Sequence, residues 1–210
     1  MKVATTYLSM ILAATCCRAA DSADSAVPFV LYGNYLIVVR CSLAGTPDLT
    51  AVLDTGVTET VLDRALVERL SLPVQKTEDE ALFLNHPSRV ENVLVSSLRL
   101  GPIEVGNLHG IAADLSNSTR EMGFRPNLII GMNVLKRQKF VIDYRKRKVL
   151  FGAAGTCDGM RNIGNSKVAG VDAVVMGKKL HLQVDSELSS LLIYGKRLGP
   201  VSGNRHADAM

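Results

Sequence analysis

Tryptophan is missing from this 210-residue chain, and aromatic residues make up only 5% of it. Hydrophobic residues reach 47%, so a core can form, but it must be built from valine, leucine, isoleucine and alanine side chains. Because β-branched side chains pack well on a pleated surface, this composition favours strands over an aromatic-rich binding surface. The length suits one domain or one and a half.

The chain also lacks the features that nucleic-acid, metal or nucleotide binding would need. The net charge is only +4, and Lys2 and Arg18 in the first 20 residues supply 2 of these charges, so no nucleic acid is expected as a partner. No Gly-x-Ser-x-Gly elbow or phosphate-binding glycine loop is present. Histidines without metal-ligand spacing give no reason to expect a metal or a cofactor; they are His86, His109, His181 and His206.

The first 20 residues have the pattern of a secretory signal peptide. Lys2 provides a positive start, and residues 7–17 are nearly all apolar or small. This run is short for a membrane span, so we predict export to the periplasm or the cell exterior, with no stable span after signal removal. An uncleaved hydrophobic anchor is the alternative. Thr15 before Cys16 fits a lipoprotein signal poorly, which argues against lipid anchoring.

Two cysteines, Cys41 and Cys157, lie beyond the predicted signal peptide. In an exported protein they could form a disulfide, since one lies in an early predicted strand and the other follows the last one. Two separate buried thiols are the other interpretation, and the sequence leaves both open.

The central feature of the sequence is an apolar run, residues 51–53, that ends in Asp54-Thr55-Gly56 and becomes apolar again by residue 61. This pattern predicts a buried strand that delivers one carboxylate to a tight turn, where the surroundings can tune its pKa. Further along, residues 127–135 form an apolar strand, a glycine and a short helix. A closing hairpin is predicted over residues 140–152.

These motifs, in this order, resemble the retropepsin-like branch of the aspartic peptidases over residues 30–152. The resemblance implies a mostly β fold, a retropepsin-like acid-protease barrel with one or two short helices. It implies that the hairpin at residues 74–97 is a flap over the substrate. It also assigns roles to the motif residues: Asp54 as the catalytic carboxylate, Thr55 and Gly56 as support for its loop, and Ile129, Ile130 and Gly131 as packing beneath that loop.

The C-terminal part of the chain partly repeats the first motif. Residues 180–192 match residues 49–61 in pattern and place Asp185 where the first copy has Asp54. However, Glu187 replaces the glycine, and no second hydrophobic-hydrophobic-Gly element follows before Met210. We therefore predict a linker at residues 153–167 and an incomplete, degenerate second lobe at residues 168–210. Chance similarity is the alternative.

The resemblance implies an aspartic endopeptidase in which two Asp carboxylates activate a water that hydrolyses a peptide bond. The substrate is then a peptide or protein. The second carboxylate could be Asp54 of another copy or Asp185 of the same chain. Because the Asp185 turn lacks its glycine, the sequence favours a homodimer. The alternative function is a non-catalytic retropepsin-fold protein that binds a peptide or another partner.

Overall fold

A computed structural model describes residues 26–83, 86–116, 122–152, 167–175 and 177–190, with the backbone alone at 78–83 and 86–88. The predicted signal peptide and almost all of the predicted linker lie outside these ranges. Within them the chain is mainly β-strand, which confirms the predicted fold class. No helix in this part of the chain is both long and apolar enough to cross a membrane.

The elements follow one another in an order typical of a strand-rich domain. The strands are β1 (Ala26–Pro28), β2 (Val30–Tyr32), β3 (Leu36–Leu43), β4 (Thr46–Leu53), β5 (Thr60–Asp63), β6 (Val74–Phe83), β7 (His86–Leu100), β8 (Ile103–Ala113), β9 (Leu128–Ile130), β10 (Phe140–Asp143), β11 (Lys148–Phe151), β12 (Gly170–Val175) and β13 (Lys178–Gln183). The helices are α1 (Arg64–Arg69) and α2 (Met132–Leu135).

The main sheet of the described chain runs in the order β2-β3-β4-β9-β5-β8-β7-β6. An additional pairing of β3 with β7 joins its two halves and curls the sheet on itself. Strand β9 lies between β4 and β5, parallel to the first and antiparallel to the second. The loop that connects β4 to β5 therefore starts and ends beside β9, and this loop carries Asp54.

Aliphatic side chains fill the interior of this sheet, as the composition predicted. The alternation of apolar and polar residues along a strand sends every second side chain to the core face. The largest fully buried side chains within the described residues are all leucine or isoleucine: Leu36, Ile37, Leu43, Leu53, Leu62, Leu98, Leu100, Ile103, Leu108, Leu115, Leu128 and Ile130.

The hairpin predicted between the two motifs is formed by β6 and β7, which pair from Val74↔Val93 to Phe83↔His86. Its tip, at residues 84–85, lies outside the described residues. The closing hairpin is formed by β10 and β11. Strand β1, which sequence reasoning missed, pairs with β11 and extends this hairpin to a three-stranded sheet.

The second lobe starts with a hairpin of β12 and β13, which pair from Gly170↔Gln183 to Val175↔Lys178. A loop at residues 184–190 follows it. The rest of the predicted lobe, residues 191–210, lies outside the described residues. The strand-turn-strand-loop order therefore repeats β3, β4 and the loop that carries Asp54.

Asp63 precedes helix α1 but does not cap it with its side chain. Its carboxylate instead forms a salt bridge with Arg125, at 2.8 Å from Oδ2 to Nε and 2.8 Å from Oδ1 to Nη2. Oδ1 also accepts a hydrogen bond from the main-chain N–H of Leu115 at 3.3 Å. A bidentate ion pair with a guanidinium is stronger than a single hydrogen bond to a helix N-terminus, so the Asp63 carboxylate pairs with Arg125.

Cys41 is a buried free thiol in β3, and its Sγ lies 3.7 Å from the carbonyl oxygen of Leu49. Burial raises the pKa of this thiol to about 12. Of the two interpretations that the sequence left open, the structure has the separate thiol at Cys41, and Cys157 lies outside the described residues.

Candidate active site

Strand β4 delivers Asp54 to a buried position at its C-terminal end, where the residue is only 2% exposed. The main-chain N–H of Asp54 donates to the carbonyl oxygen of Ile130 at 3.0 Å, so the ladder between β4 and β9 continues into the loop. The adjacent Thr55 is also buried. The carboxylate is therefore held by a rigid part of the main sheet.

The far side of this loop is tied to the turn between β9 and α2. The N–H groups of Met132 and Asn133 donate to the carbonyl oxygens of Val57 and Thr58, at 3.0 and 2.9 Å. A Cβ atom on Gly131 would lie 2.6 Å from the carbonyl oxygen of Glu59. Only glycine lets the two backbones approach this closely, so the structure places residues 129–131 directly beneath the loop that carries Asp54.

Thr60, which is completely buried, connects the same elements through its side chain. Its hydroxyl donates to Oδ1 of Asn133 at 2.8 Å and accepts from the N–H of Gly131 at 3.3 Å. The Asn133 amide in turn donates to the carbonyl of His109 in β8 at 2.8 Å. This network fixes the end of the loop relative to α2 and β8.

The loop after β13 packs against the loop after β4 through reciprocal hydrogen bonds. The Thr55 hydroxyl donates to the carbonyl of Val184, and the Ser186 hydroxyl donates to the carbonyl of Leu53, both at 2.8 Å. Each hydroxyl also accepts a hydrogen bond from the main-chain N–H of the other residue, both at 3.1 Å. The two loops are thus related by an approximate two-fold axis within a single chain.

Both loops turn in the same way after their Asp. The N–H of Gly56 donates to Oδ1 of Asp54 at 2.6 Å, and the N–H of Glu187 donates to Oδ1 of Asp185 at 2.8 Å. The expectation that the second turn needs a glycine is therefore wrong, because Glu187 does not have a positive φ. Glycine at position 56 leaves room for the Asp185 carboxyl group, since a Cβ there would lie 2.5 Å from Oδ2 of Asp185.

The reciprocal hydrogen bonds between the two loops bring the carboxyl groups of Asp54 and Asp185 close to each other. Burial raises the pKa of Asp54, and the negative charge of Asp185 raises it further, while hydrogen bonds from Glu187 and from the Gly56 backbone act in the opposite direction. The Asp54 carboxyl group is therefore harder to ionise than a carboxyl group in water, because it is buried and lies beside a second acidic side chain.

Comparison with known proteins relates the first of these two loops to a protein family. The sequence profile of the family described as "Aspartyl protease" matches residues 39–134, from β3 to the end of α2. This part of the chain is similar to the aspartyl protease family. The match includes Asp54, Thr55 and Gly56 and the turn at Gly131, and it ends before the linker. No curated protein matches the chain by sequence.

Solved aspartic protease structures overlap part of the chain at low identity. A retropepsin-like aspartic protease from Rickettsia conorii is 18% identical, with a TM-score of 0.40, over 60% of this chain and 88% of the other. The EIAV protease complexed with the inhibitor HBY-793 is 19% identical, with a TM-score of 0.38, over 48% of this chain and 85% of the other.

The loop that carries Asp54 contacts the loop after β13 of the same chain, whereas the sequence favoured a contact with Asp54 of a second copy. The hydroxyl and N–H of Thr55 and the carbonyl of Leu53 are already bonded to residues 184–186. A loop from a second copy would have to displace these contacts to reach the same place. The oligomeric state itself stays a prediction.

Sequence reasoning missed two side chains that contact the Asp54 loop. Glu187 influences the pKa of the Asp54 carboxyl group, and Nε2 of Gln183 donates to the carbonyl of Gly56 at 2.7 Å. The sequence identified position 187 only as a lost glycine. Alignment of the two copies was the signal that could have placed Glu187 beside Asp54.

Metal binding has no support within the described ranges, where no group of three or more His, Cys, Asp or Glu side chains is placed to hold an ion. The ionisable side chains at the site are carboxyl groups that contact each other directly. The arrangement is suited to proton exchange with a bound water.

Proposed function

We propose that this protein is an aspartic endopeptidase that hydrolyses peptide bonds with Asp54 and Asp185 of one chain as its two carboxyl groups. The single observation that carries the proposal is the contact between these two carboxyl groups on loops joined by reciprocal hydrogen bonds. The match of residues 39–134 to the family described as "Aspartyl protease" supports a hydrolase at the level of reaction class. A peptidase that carries both carboxyl groups in one chain does not need a homodimer to supply the second one.

The reaction follows from the shared proton. With one proton on the pair, the ionised carboxyl group takes a proton from a water bound between them, and the protonated group donates to the carbonyl oxygen of the peptide. The water oxygen bonds to the carbonyl carbon and forms a tetrahedral intermediate. Transfer of a proton to the amide nitrogen then breaks the C–N bond and releases an amine and a carboxylic acid.

The hydrogen bonds between the loops give the carboxyl groups a fixed separation, which the mechanism requires. Because Thr55 and Ser186 are both buried, these contacts are shielded from competing water. The hairpin of β6 and β7 is proposed as the flap that closes over a peptide and excludes water from the site. The substrate class is a peptide or an unfolded protein, and we propose that the protein acts after export from the cytoplasm.

The test is hydrolysis of an unfolded protein by the purified chain, with the products identified by mass spectrometry at acid and neutral pH. We expect cleavage by the wild type and none by Asp54→Asn. The matched control is Asp48→Asn, since Asp48 is exposed and its φ of +57° suits asparagine well. No cleavage by the wild type, with peptide binding that Asp54→Asn leaves unchanged, would instead support the non-catalytic alternative.

A further inference from the structure

One hydrogen bond between the two loops has no counterpart across their approximate two-fold axis. Nε2 of Gln183 donates to the carbonyl oxygen of Gly56 at 2.7 Å. The reciprocal bonds of Thr55 and Ser186 join residues that lie 131 positions apart, and the same offset makes Val52 the counterpart of Gln183. Val52 is completely buried and aliphatic, so its side chain cannot donate the matching bond to the second loop.

The backbone of Gln183 is fixed on both sides of the residue. Gln183 is the last residue of β13 and pairs with Gly170 of β12. The N–H of Val184 continues this ladder, because it donates to the carbonyl of Ala169 at 2.8 Å. Gly170 has no side chain that could compete for the Gln183 amide. The side chain of Gln183, an exposed residue, therefore reaches Gly56 from a firmly held strand end.

Gly56 adjoins both carboxyl groups of the proposed pair. Its N–H donates to Oδ1 of Asp54 at 2.6 Å. On its other side lies the Asp185 carboxyl group, so near that a Cβ on Gly56 would lie 2.5 Å from Oδ2. Glycine has more backbone freedom than any other residue. The direction of the Gly56 N–H therefore depends on what holds the following peptide unit, and the bond from Gln183 holds that unit.

We infer that Gln183 is a positioning residue for the proposed peptidase: its amide fixes the Gly56 carbonyl and thereby keeps the Gly56 N–H directed at the Asp54 carboxyl group. This inference rests on the proposed function, because it assigns Gln183 a part in the same reaction. Gln183 neither gives nor takes a proton, so the balance of the hydrolysis is unchanged. Its contribution is a carboxyl group that is already oriented when the substrate binds.

The expected effect is on turnover and not on substrate affinity. Gln183→Met keeps the length of the side chain but removes its N–H donor. We expect this variant to lower kcat by about three- to tenfold, the effect of one hydrogen bond. KM should change by less than about twofold, since the lost contact orients a reacting group and does not bind the substrate. The matched control is Gln138→Met, an exposed glutamine in the turn after α2, which should keep wild-type kinetics.

A second variant, Gln183→Glu, places a pH-dependent donor at the same position. A carboxyl group donates a hydrogen bond only when it is protonated, and an ionised one can only accept. The ordinary pKa of a glutamate side chain is about 4.3. We therefore expect Gln183→Glu to keep the wild-type kcat at about pH 3.5 and to fall to the kcat of Gln183→Met, or lower, at about pH 7.

Three kinetic outcomes overturn the inference. The first is a wild-type kcat in Gln183→Met, and the second is a change of KM alone in that variant. The third is a kcat of Gln183→Glu that differs from wild type by the same factor at both pH values. A side chain that only fills space would give this third result, because protonation hardly changes the volume of a carboxyl group.

A measurement that needs no turnover keeps this test independent of the proposed function. Hydrogen exchange of the Gly56 amide is followed by NMR in the wild type, Gln183→Met and Gln138→Met. We expect faster exchange in Gln183→Met alone, because the bond from the Gly56 N–H to Asp54 is no longer held in place. Equal rates in the two variants overturn the inference whatever the activity. Faster exchange in Gln183→Met, without hydrolysis by the wild type, supports the contact and counts against the proposed peptidase.

Discussion

Thr55 and Ser186 each accept a hydrogen bond from the other's main-chain N–H, at the same distance of 3.1 Å. The two residues lie 131 positions apart in the sequence, yet each one completes the loop of the other. Each hydroxyl also donates to a carbonyl beside the Asp of the opposite loop, at Leu53 and Val184. This pairing of the two loops brings the carboxyl groups of Asp54 and Asp185 close together.

Replacement of Thr55 by valine should weaken this junction. Thr55→Val keeps the shape but removes the hydroxyl, which leaves the N–H of Ser186 and the carbonyl of Val184 without their partner. A buried polar group left unsatisfied costs about 1–3 kcal/mol, so we expect a loss of that size in the free energy of unfolding. The measurement is urea denaturation at neutral pH, followed by circular dichroism.

The control for this prediction is Thr58→Val in the same loop. Thr58 is exposed, so its replacement should change stability by less than about 0.5 kcal/mol. Equal effects of the two substitutions would contradict the buried role given to the Thr55 hydroxyl.

The pKa of Asp54 predicts how stability depends on pH. Burial raises this pKa above its ordinary value of 3.8, so the folded state binds the proton more tightly than the unfolded state does. The stability from this group is therefore complete below the unfolded pKa and is lost as pH rises through the folded pKa. Asp54→Asn, which cannot ionise, should gain stability relative to wild type as pH rises from about 4 to 7.

Paired urea denaturation of wild type and Asp54→Asn across this pH range checks the prediction. Asp48→Asn is the control and should differ from wild type by a nearly constant amount, since Asp48 is exposed. The free energy of unfolding of Asp54→Asn, relative to wild type, could instead stay constant or fall with rising pH. That result would show that folding does not raise the pKa of Asp54.

Gly131 should tolerate no side chain. A Cβ there would lie 2.6 Å from the carbonyl oxygen of Glu59, and that oxygen belongs to the backbone and cannot rotate away. We expect Gly131→Ala to lower the free energy of unfolding by about 1–3 kcal/mol, as for other overpacked sites. The same variant should also lose hydrolytic activity, because the loop of Asp54 rests on this turn.

Gly106→Ala is the matched control, since its nearest neighbour to a new Cβ is the carbonyl oxygen of Ser96 at 3.8 Å. Thermal unfolding of the two variants provides the comparison. If Gly131→Ala unfolds at the wild-type temperature, the close approach of α2 to the loop does not exist.

The first lobe could be predicted from the sequence because its signals are local. Apolar runs predict β4 and β9, Gly131 marks the turn before α2, and the basic turn at 145–148 separates β10 from β11. Strand β1 was missed because three residues have too little pattern to be distinguished from a loop. The ion pair of Asp63 has no local signal, because its partner Arg125 lies far along the sequence.

The site was predicted in part, and the missing part depends on contacts between the two lobes. The repeat of the motif placed Asp185 in the sequence, but the absent glycine suggested that its turn was lost. The structure forms the turn with Glu187, because that position needs neither a positive φ nor the absence of a side chain. Glu187 stands where the first copy has Gly56. Only the three-dimensional structure shows that its carboxyl group influences Asp54.

We propose that Asp54 and Asp185 of one chain form the active pair. Peptide hydrolysis by the Asp185→Asn variant tests this most directly. Circular dichroism should show that the variant is folded. We expect it to lose peptide cleavage as completely as Asp54→Asn does. A mixture of the two variants should also stay inactive. Wild-type cleavage by Asp185→Asn would contradict the claim and point to a dimer that supplies Asp54 from each copy.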